Sequence, residues 1–140
     1  SIYMCDAPLT NDAGTGVFAN SGITRARQLL QEAGYAGQPV AILHAETSAI
    51  LNPIGIVVAD QLRRAGFNVD LRTSDFATVA QRRLSRAPVE GGGWSLVPII
   101  WNGIDLVNPL ANSNVSQNCN PHNPGWYCDE GQAALLRRFS

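Results

Sequence analysis

The residues from Gly34 to Trp101 constrain this fold more than any others. They read Gly-Tyr-Ala-Gly-Gln-Pro-Val-Ala-Ile-Leu at 34–43, Gln-Leu-Arg-Arg-Ala-Gly-Phe-Asn-Val-Asp-Leu at 61–71, and Gly-Gly-Gly-Trp at 91–94. Pro39–Ala45 is apolar on both faces, the pattern of a central parallel strand covered on both sides. Asn52 followed by Pro53 signals a helix start, an N-cap residue with proline at the first helical position. That helix is expected to run to about Ala65, with Ile54, Val57, Val58, Leu62 and Ala65 as its buried stripe, and to stop at Gly66. Phe67–Arg72 reads as a second strand. A strand, a helix and a strand joined this tightly form a right-handed parallel β-α-β unit.

Further elements flank the unit. Ile23–Ala33 has helical period, with Ala26, Leu29, Leu30 and Ala33 on one face and Gly34 at the C-cap position. Ser74 is predicted to cap a third helix, Asp75–Arg86, turning Phe76, Val79, Ala80 and Leu84 toward the core. Trp94–Trp101 reads as a third strand, at an edge or bulged, because Pro98 removes a ladder N–H. Residues 102–126 form a long irregular stretch dense in Asn, of the kind that is functional or pinned by a partner. Asp129–Phe139 closes as a helix with Ala133, Leu136 and Phe139 on one side. The predicted fold class is α/β, a mixed, partly parallel sheet flanked by helices.

A chain of 140 residues suffices for one domain with a real core. The net charge of −1 supplies no basic face for nucleic acid and no polybasic patch for a membrane. No apolar run approaches the roughly 20 residues that span a bilayer. The chain opens Ser-Ile-Tyr-Met-Cys and ends inside an amphipathic pattern, so it is expected to be a piece of a longer protein. Cys119 and Cys128 bracket a loop rich in Asn, Pro and Gly. In an exported protein this favours a local disulfide; in a reducing compartment the two would be free thiols. Cys5 is then left over, or pairs with another part of the protein.

Few residues offer chemistry. Gly14-x-Gly16-x-x-Ala19 matches a dinucleotide fingerprint in letters only, since 6–13 is turn-like where the fingerprint needs a strand. Cys119, His122 and Asp129 could be written as a nucleophilic set, or Cys119, His122 and Cys128 as metal ligands. They share one loop with nothing rigid to orient them, and the spacing fits no common zinc site. His44 ends an apolar strand, the place of a hydrogen-bonded interior or edge histidine, and His122 is expected to be solvated. Arg63-Arg64 and Arg82-Arg83 are neighbours on helices and so diverge by about 100° rather than clamping an anion. Trp94, Trp101, Asn102 and Asp105 differ. They bracket the third strand's end and open the long loop, where ligands gather in open α/β sheets. Aromatic walls with one carboxylate suit a peptide-like or cationic small molecule; against this, both tryptophans could simply be packing residues.

Several stretches in order resemble the family 5 extracytoplasmic solute-binding proteins of ABC transporters, the dipeptide and oligopeptide class. They are Arg25-x-Arg27-x-Leu29-Leu30-x-Glu32-Ala33-Gly34-Tyr35-x-Gly37-x-Pro39-Val40, then Leu62-x-x-x-Gly66-Phe67-x-Val69-Asp70-Leu71, then Asp75-Phe76-x-Thr78-Val79-x-Gln81-Arg82-Arg83, then Gly92-Gly93-Trp94. Together they span Arg25 to Trp94, half of the chain. The resemblance implies a periplasmic-binding-protein type II fold, of which residues 1–140 form a single α/β lobe cut from a larger two-lobed protein. It implies capture of peptides or related small solutes between the lobes, delivery to ABC permease subunits in the membrane, and a place at the periplasmic or extracellular face. It implies no catalysis and no cofactor. The partners are the solute, the permease and the first lobe, with no nucleic acid. The family often carries Trp-x-x-Asp-x-x-x-Pro after the third strand, with an acidic residue that can hold a ligand amine. Here the segment is Trp101-Asn-Gly-Ile-Asp105-Leu-Val-Asn-Pro109, one residue longer before the acid, which fits a subgroup with another solute. The alternatives are a small α/β enzyme using the Cys119–Asp129 loop and a regulatory protein-interaction domain.

Overall fold

The computed structural model describes residues 9–19 and 21–140, so Cys5 lies outside the described residues. They fall into two compact units, Phe18–Ile100 and a second made of residues up to Val17 with Trp101–Ser140.

Phe18–Ile100 holds the predicted β-α-β. Its elements are α1 (Ile23–Glu32), β1 (Pro39–Ala45), α2 (Leu51–Ala65), β2 (Asn68–Ser74) and α3 (Phe76–Arg82). β1 and β2 pair in parallel from Pro39–Asn68 to Ala45–Ser74. Both connections into the strands leave their helices through reciprocal backbone bonds. Gly66 N–H donates to Arg63 O and Phe67 N–H to Leu62 O; Gly34 N–H donates to Gln31 O and Tyr35 N–H to Leu30 O.

β1 is buried from Ala41 to Ala45. Successive side chains on a strand point to opposite faces. Leu43 and Ala45 cluster with Leu51 and Val79, with Trp94 and Val97 packed against them. His44, on the other face, lies beside Gly55 of α2. A strand apolar but for His44 therefore finds cover on both sides, as its pattern predicts.

Several expectations are corrected. α2 begins at Leu51, with Ser48 accepting the Leu51 N–H on its Oγ and the Asn52 N–H on its carbonyl, so Asn52 is inside the helix and not its cap. Its buried stripe is Leu51, Gly55, Ala59 and Ala65, while Ile54 and Val57 are exposed. Small residues let the helix approach the strand closely, and this rotates the larger aliphatics outward. α3 is capped by Asp75, whose Oδ1 accepts the Thr78 N–H at 2.9 Å, and it ends at Arg82. Ser74 belongs to β2, and of the four residues predicted to face the core, Phe76 and Leu84 are exposed while Val79 is buried. The third strand does not form. Trp94–Trp101 contributes a single parallel bridge, Leu96 to Ile42, with Leu43 N–H donating to Leu96 O at 3.0 Å and Ser95 N–H to Ala41 O at 2.8 Å. α1 has no buried residue, and Leu29 is half exposed.

The second unit carries two short turns of 3₁₀ helix (Thr15–Phe18, which begins here, and Gly103–Leu106), α4 (Ser113–Ser116) and α5 (Glu130–Phe139). Asp129 caps α5 by accepting the Gln132 N–H at 2.6 Å. No strand among the described residues leads into Gly14 and Gly16, which the nucleotide fingerprint would need.

Candidate functional site

Three candidate residues follow one another in the second unit. Trp101 is 41% exposed. Asn102 precedes the Gly103–Leu106 turn, and its carbonyl accepts the Asp105 N–H at 3.0 Å. Asp105 is half-buried and Ile104 beside it is 72% exposed. The turn thus places an aromatic ring, an amide and a carboxylate within five residues of chain. These groups could offer stacking, a donor and acceptor pair, and one negative charge.

Trp94 belongs to the other unit. Its indole N–H donates to Arg83 O at 3.1 Å, closing the end of α3, and its ring packs on the Leu43 cluster. The residues holding it in place escaped the sequence reading. Arg72 on β2 bonds Asp70 Oδ2 at 2.7 Å, and its guanidinium also donates to Gly93 O at 2.7 Å and Val89 O at 3.0 Å. This ties the 89–93 turn to the sheet just before Trp94. Gly93 sits so close to the preceding turn that a Cβ would come 1.7 Å from Ala87 O, which only glycine avoids. The sequence offered an arginine in a strand of mixed polarity and, about twenty residues on, a glycine run. Neither feature names the other as its partner.

Between α3 and the segment after Leu96 lies a groove of about 260 Å³, lined by Leu51, Phe76, Val79, Ala80, Arg83 and Val97–Ile100. Its walls are apolar except for Arg83.

His44 is buried with both ring nitrogens engaged. Nδ1 meets Thr73 Oγ1 at 3.1 Å, and Nε2 meets Asn52 Oδ1 at 3.0 Å and Asn52 O at 3.2 Å. Two acceptors facing Nε2 make it the N–H donor, leaving Nδ1 to accept the Thr73 hydroxyl. This is the hydrogen-bonded interior histidine the sequence pointed to. His122 is exposed.

Cys119 and Cys128 are joined as a disulfide with Cα atoms 4.2 Å apart. Neither sulfur is then free as a nucleophile or a thiolate ligand, which removes both alternative sets written for this loop. Hydrogen bonds reinforce the closure. Asn118 Nδ2 donates to Asp129 O at 2.7 Å, Asp129 N–H to Asn118 Oδ1 at 3.0 Å, and Cys119 N–H to Tyr127 O at 3.0 Å.

No family model matches the chain. It is 34% identical over 140 residues to the probable peptide ABC transporter periplasmic-binding protein y4tO of Sinorhizobium fredii, a match covering 99% of this chain and 26% of that protein. A crystal structure of the ABC transporter substrate-binding protein CtaP from Listeria monocytogenes shares the fold. The TM-score is 0.66 at 19% identity, over 84% of this chain and 23% of that one. The chain is thus similar to substrate-binding proteins of ABC transporters, as the ordered motifs imply. It spans about a quarter of the length of the curated relative it matches.

Proposed function

We propose that this chain is part of one lobe of a two-lobed solute-binding protein of an ABC importer, capturing peptides or related small solutes for delivery to a membrane permease. The observation that carries this reading is the 34% identity, sustained over 140 residues, to a protein described as a probable peptide-binding component of such a transporter. The fold shared with a second substrate-binding protein supports it. A periplasmic or cell-surface location follows from the same reading and agrees with the Cys119–Cys128 bridge, since disulfides persist in oxidising compartments.

In this reading the protein performs no chemistry. Trp101 supplies an apolar wall, Asn102 an amide, and Asp105 a charge for a ligand amine or another cationic group. Trp94, in the Phe18–Ile100 unit, is a separate candidate contact, its indole held by the bond to Arg83 O. Closure of two lobes would signal occupancy to the permease.

The test is calorimetry with short peptides on the full-length polypeptide that contains this chain. Saturable binding is expected, and Trp101→Ala and Asp105→Asn should each weaken it by about tenfold or more, as central contacts do. Binding unchanged in both variants would remove these residues from the site. Absence of binding to any peptide or small cationic solute would remove the function.

A further inference from the structure

Of the eleven asparagines in the sequence, Asn102 alone precedes a glycine. The structure leaves that pair open to reaction. Asn102 and Gly103 are both exposed. Asn102 has extended backbone, φ −74° and ψ 148°, and lies just ahead of the Gly103–Leu106 turn, outside any regular element. Its side-chain amide has no hydrogen-bond partner among the described residues, and neither does the Gly103 N–H. Glycine has no Cβ to screen its nitrogen from the Cγ of the residue before it. Other asparagines differ. Asn52, Asn108, Asn120 and Asn123 precede prolines, whose nitrogen carries no hydrogen. Asn112 is buried, Asn68 donates to Gly37 O, and both ends of the Asn118 amide are bonded to Asp129.

We infer that Asn102–Gly103 is a site of spontaneous covalent modification, a cyclisation that replaces the Asn102 amide with a carboxylate just ahead of Asp105. The Gly103 nitrogen gives its proton to solvent and attacks Asn102 Cγ. The Cγ–Nδ2 bond breaks, and Nδ2 leaves as ammonia with a proton taken from water. The cyclic imide then takes up water. Addition at Cγ breaks the new bond and gives aspartate. Addition at the main-chain carbonyl breaks the original peptide bond and gives isoaspartate, with the chain now running through Cβ. No oxidant or reductant is consumed. Both products are charged at neutral pH. In isoaspartate the Asn102 carbonyl that accepts the Asp105 N–H at 3.0 Å becomes the free carboxylate, so the bond closing this turn is rebuilt. The stretch carrying Trp101 and Asp105 gains a second anion, which raises its attraction for a cationic group. That effect on a ligand rests on the solute-binding reading; the chemistry of the Asn102–Gly103 pair does not.

The experiment incubates the freshly purified, folded full-length polypeptide at mildly alkaline pH and follows each asparagine by peptide mapping and mass spectrometry. Conversion at Asn102 is expected at least about tenfold faster than at the other asparagines of this stretch, with both aspartate and isoaspartate formed. The rate should rise with pH, because the attacking nitrogen must lose its proton. Gly103→Ala should slow conversion by about tenfold or more, and the 3₁₀ turn accommodates alanine, so the fold is kept. An Asn102 amide as long-lived as that of Asn112, a rate unchanged in Gly103→Ala, or aspartate without isoaspartate would each overturn the proposal. Calorimetry with a cationic peptide then compares the fresh and converted forms, separated by charge. Tighter binding by the converted form is expected, and equal binding would overturn the effect on the ligand. Binding by neither form would overturn the solute-binding reading and that effect with it, while the mass-spectrometric result stands.

Discussion

The two units of this molecule are held together by different physics. In Phe18–Ile100 the buried side chains include Ala41, Ile42, Leu43, Ala45, Leu51, Ala59, Ala65 and Val79, an apolar core around one strand. In the unit containing Trp101–Ser140, the buried residue among those described is polar, Asn112. There the chain is ordered by a disulfide, by Asn118 bridging to Asp129, and by the Asp129 helix cap. Apolar burial is non-directional and tolerates variation in detail. Cross-links and side-chain bonds are local and directional. One unit is ordered by an apolar core, and the other, which contains Trp101, Asn102 and Asp105, by local bonds.

That contrast can be broken or sharpened by experiment. The largest effect is expected from Leu43→Ala, which empties a fully buried site in the scaffold. It should cost about 2–5 kcal/mol, read as a lowered urea midpoint. Amide protection across β1 and β2 should fall while the amides of 118–129 keep theirs. If both regions lose protection together, they form one cooperative unit and the contrast fails.

The mirror experiment is Cys119→Ser with Cys128→Ser. Opening a loop with a sequence separation of 9 should cost about 2.5–3 kcal/mol on the chain-entropy model. The loss should appear in amide exchange at 118–129, with β1 unaffected. A uniform loss over both regions would contradict the local role assigned to the bridge.

Gly55→Ala probes the tight contact inside the scaffold. The new Cβ would sit 2.5 Å from His44 Cδ2, and the imidazole is held by Thr73 and Asn52, so it cannot swing away freely. Overpacking of this kind should cost about 1–3 kcal/mol by denaturant titration. A neutral or stabilising result would show that α2 moves readily against β1.

The smallest effect is that of Asp75. Its carboxyl titrates below the ordinary value of 3.8, first because the Thr78 hydroxyl donates to it and next because the Thr78 amide does. A carboxylate whose folded pKa is depressed stabilises above its unfolded pKa, and the contribution fades as pH falls through the folded value. The stability gap between the wild type and Asp75→Ala should therefore be full at neutral pH and narrow below about pH 4. A gap that stays constant to pH 2 would show that the charge plays no part in capping α3.

Much of the scaffold was legible in the residue pattern. Pro39–Ala45, the stops at Gly34 and Gly66, and the parallel β-α-β arrangement were each signalled by local chemistry: apolar runs, glycines past helix ends, and tight connections. What was not legible depended on neighbours distant in sequence. The α2 stripe was assigned to Ile54 and Val57 because hydrophobicity was the only available criterion, whereas Gly55, close against His44, and Ala59 are the residues buried. Trp94–Trp101 was expected to form a strand from its composition, but it makes a single bridge, Leu96 to Ile42 through bonds to Ala41 and Leu43, before Pro98 interrupts it. Arg72 appeared as one arginine among ten, and nothing local shows that its bonds to Val89 and Gly93 fasten the turn preceding Trp94. The cysteine pair was visible because both partners border the same short loop.

The residue order alone thus pointed to the longer helices, the two paired strands and the stops at Gly34 and Gly66, the resemblance to solute-binding proteins, and the two cysteines that close a loop. These properties arise from backbone preferences and side-chain period over a few positions, so they are written locally. Only the tertiary structure decided which face of α2 is buried, what anchors the Gly92-Gly93-Trp94 turn, and that Arg83 lies in an apolar groove. Those outcomes depend on distances between residues far apart in the chain, and such distances exist only once the chain has packed.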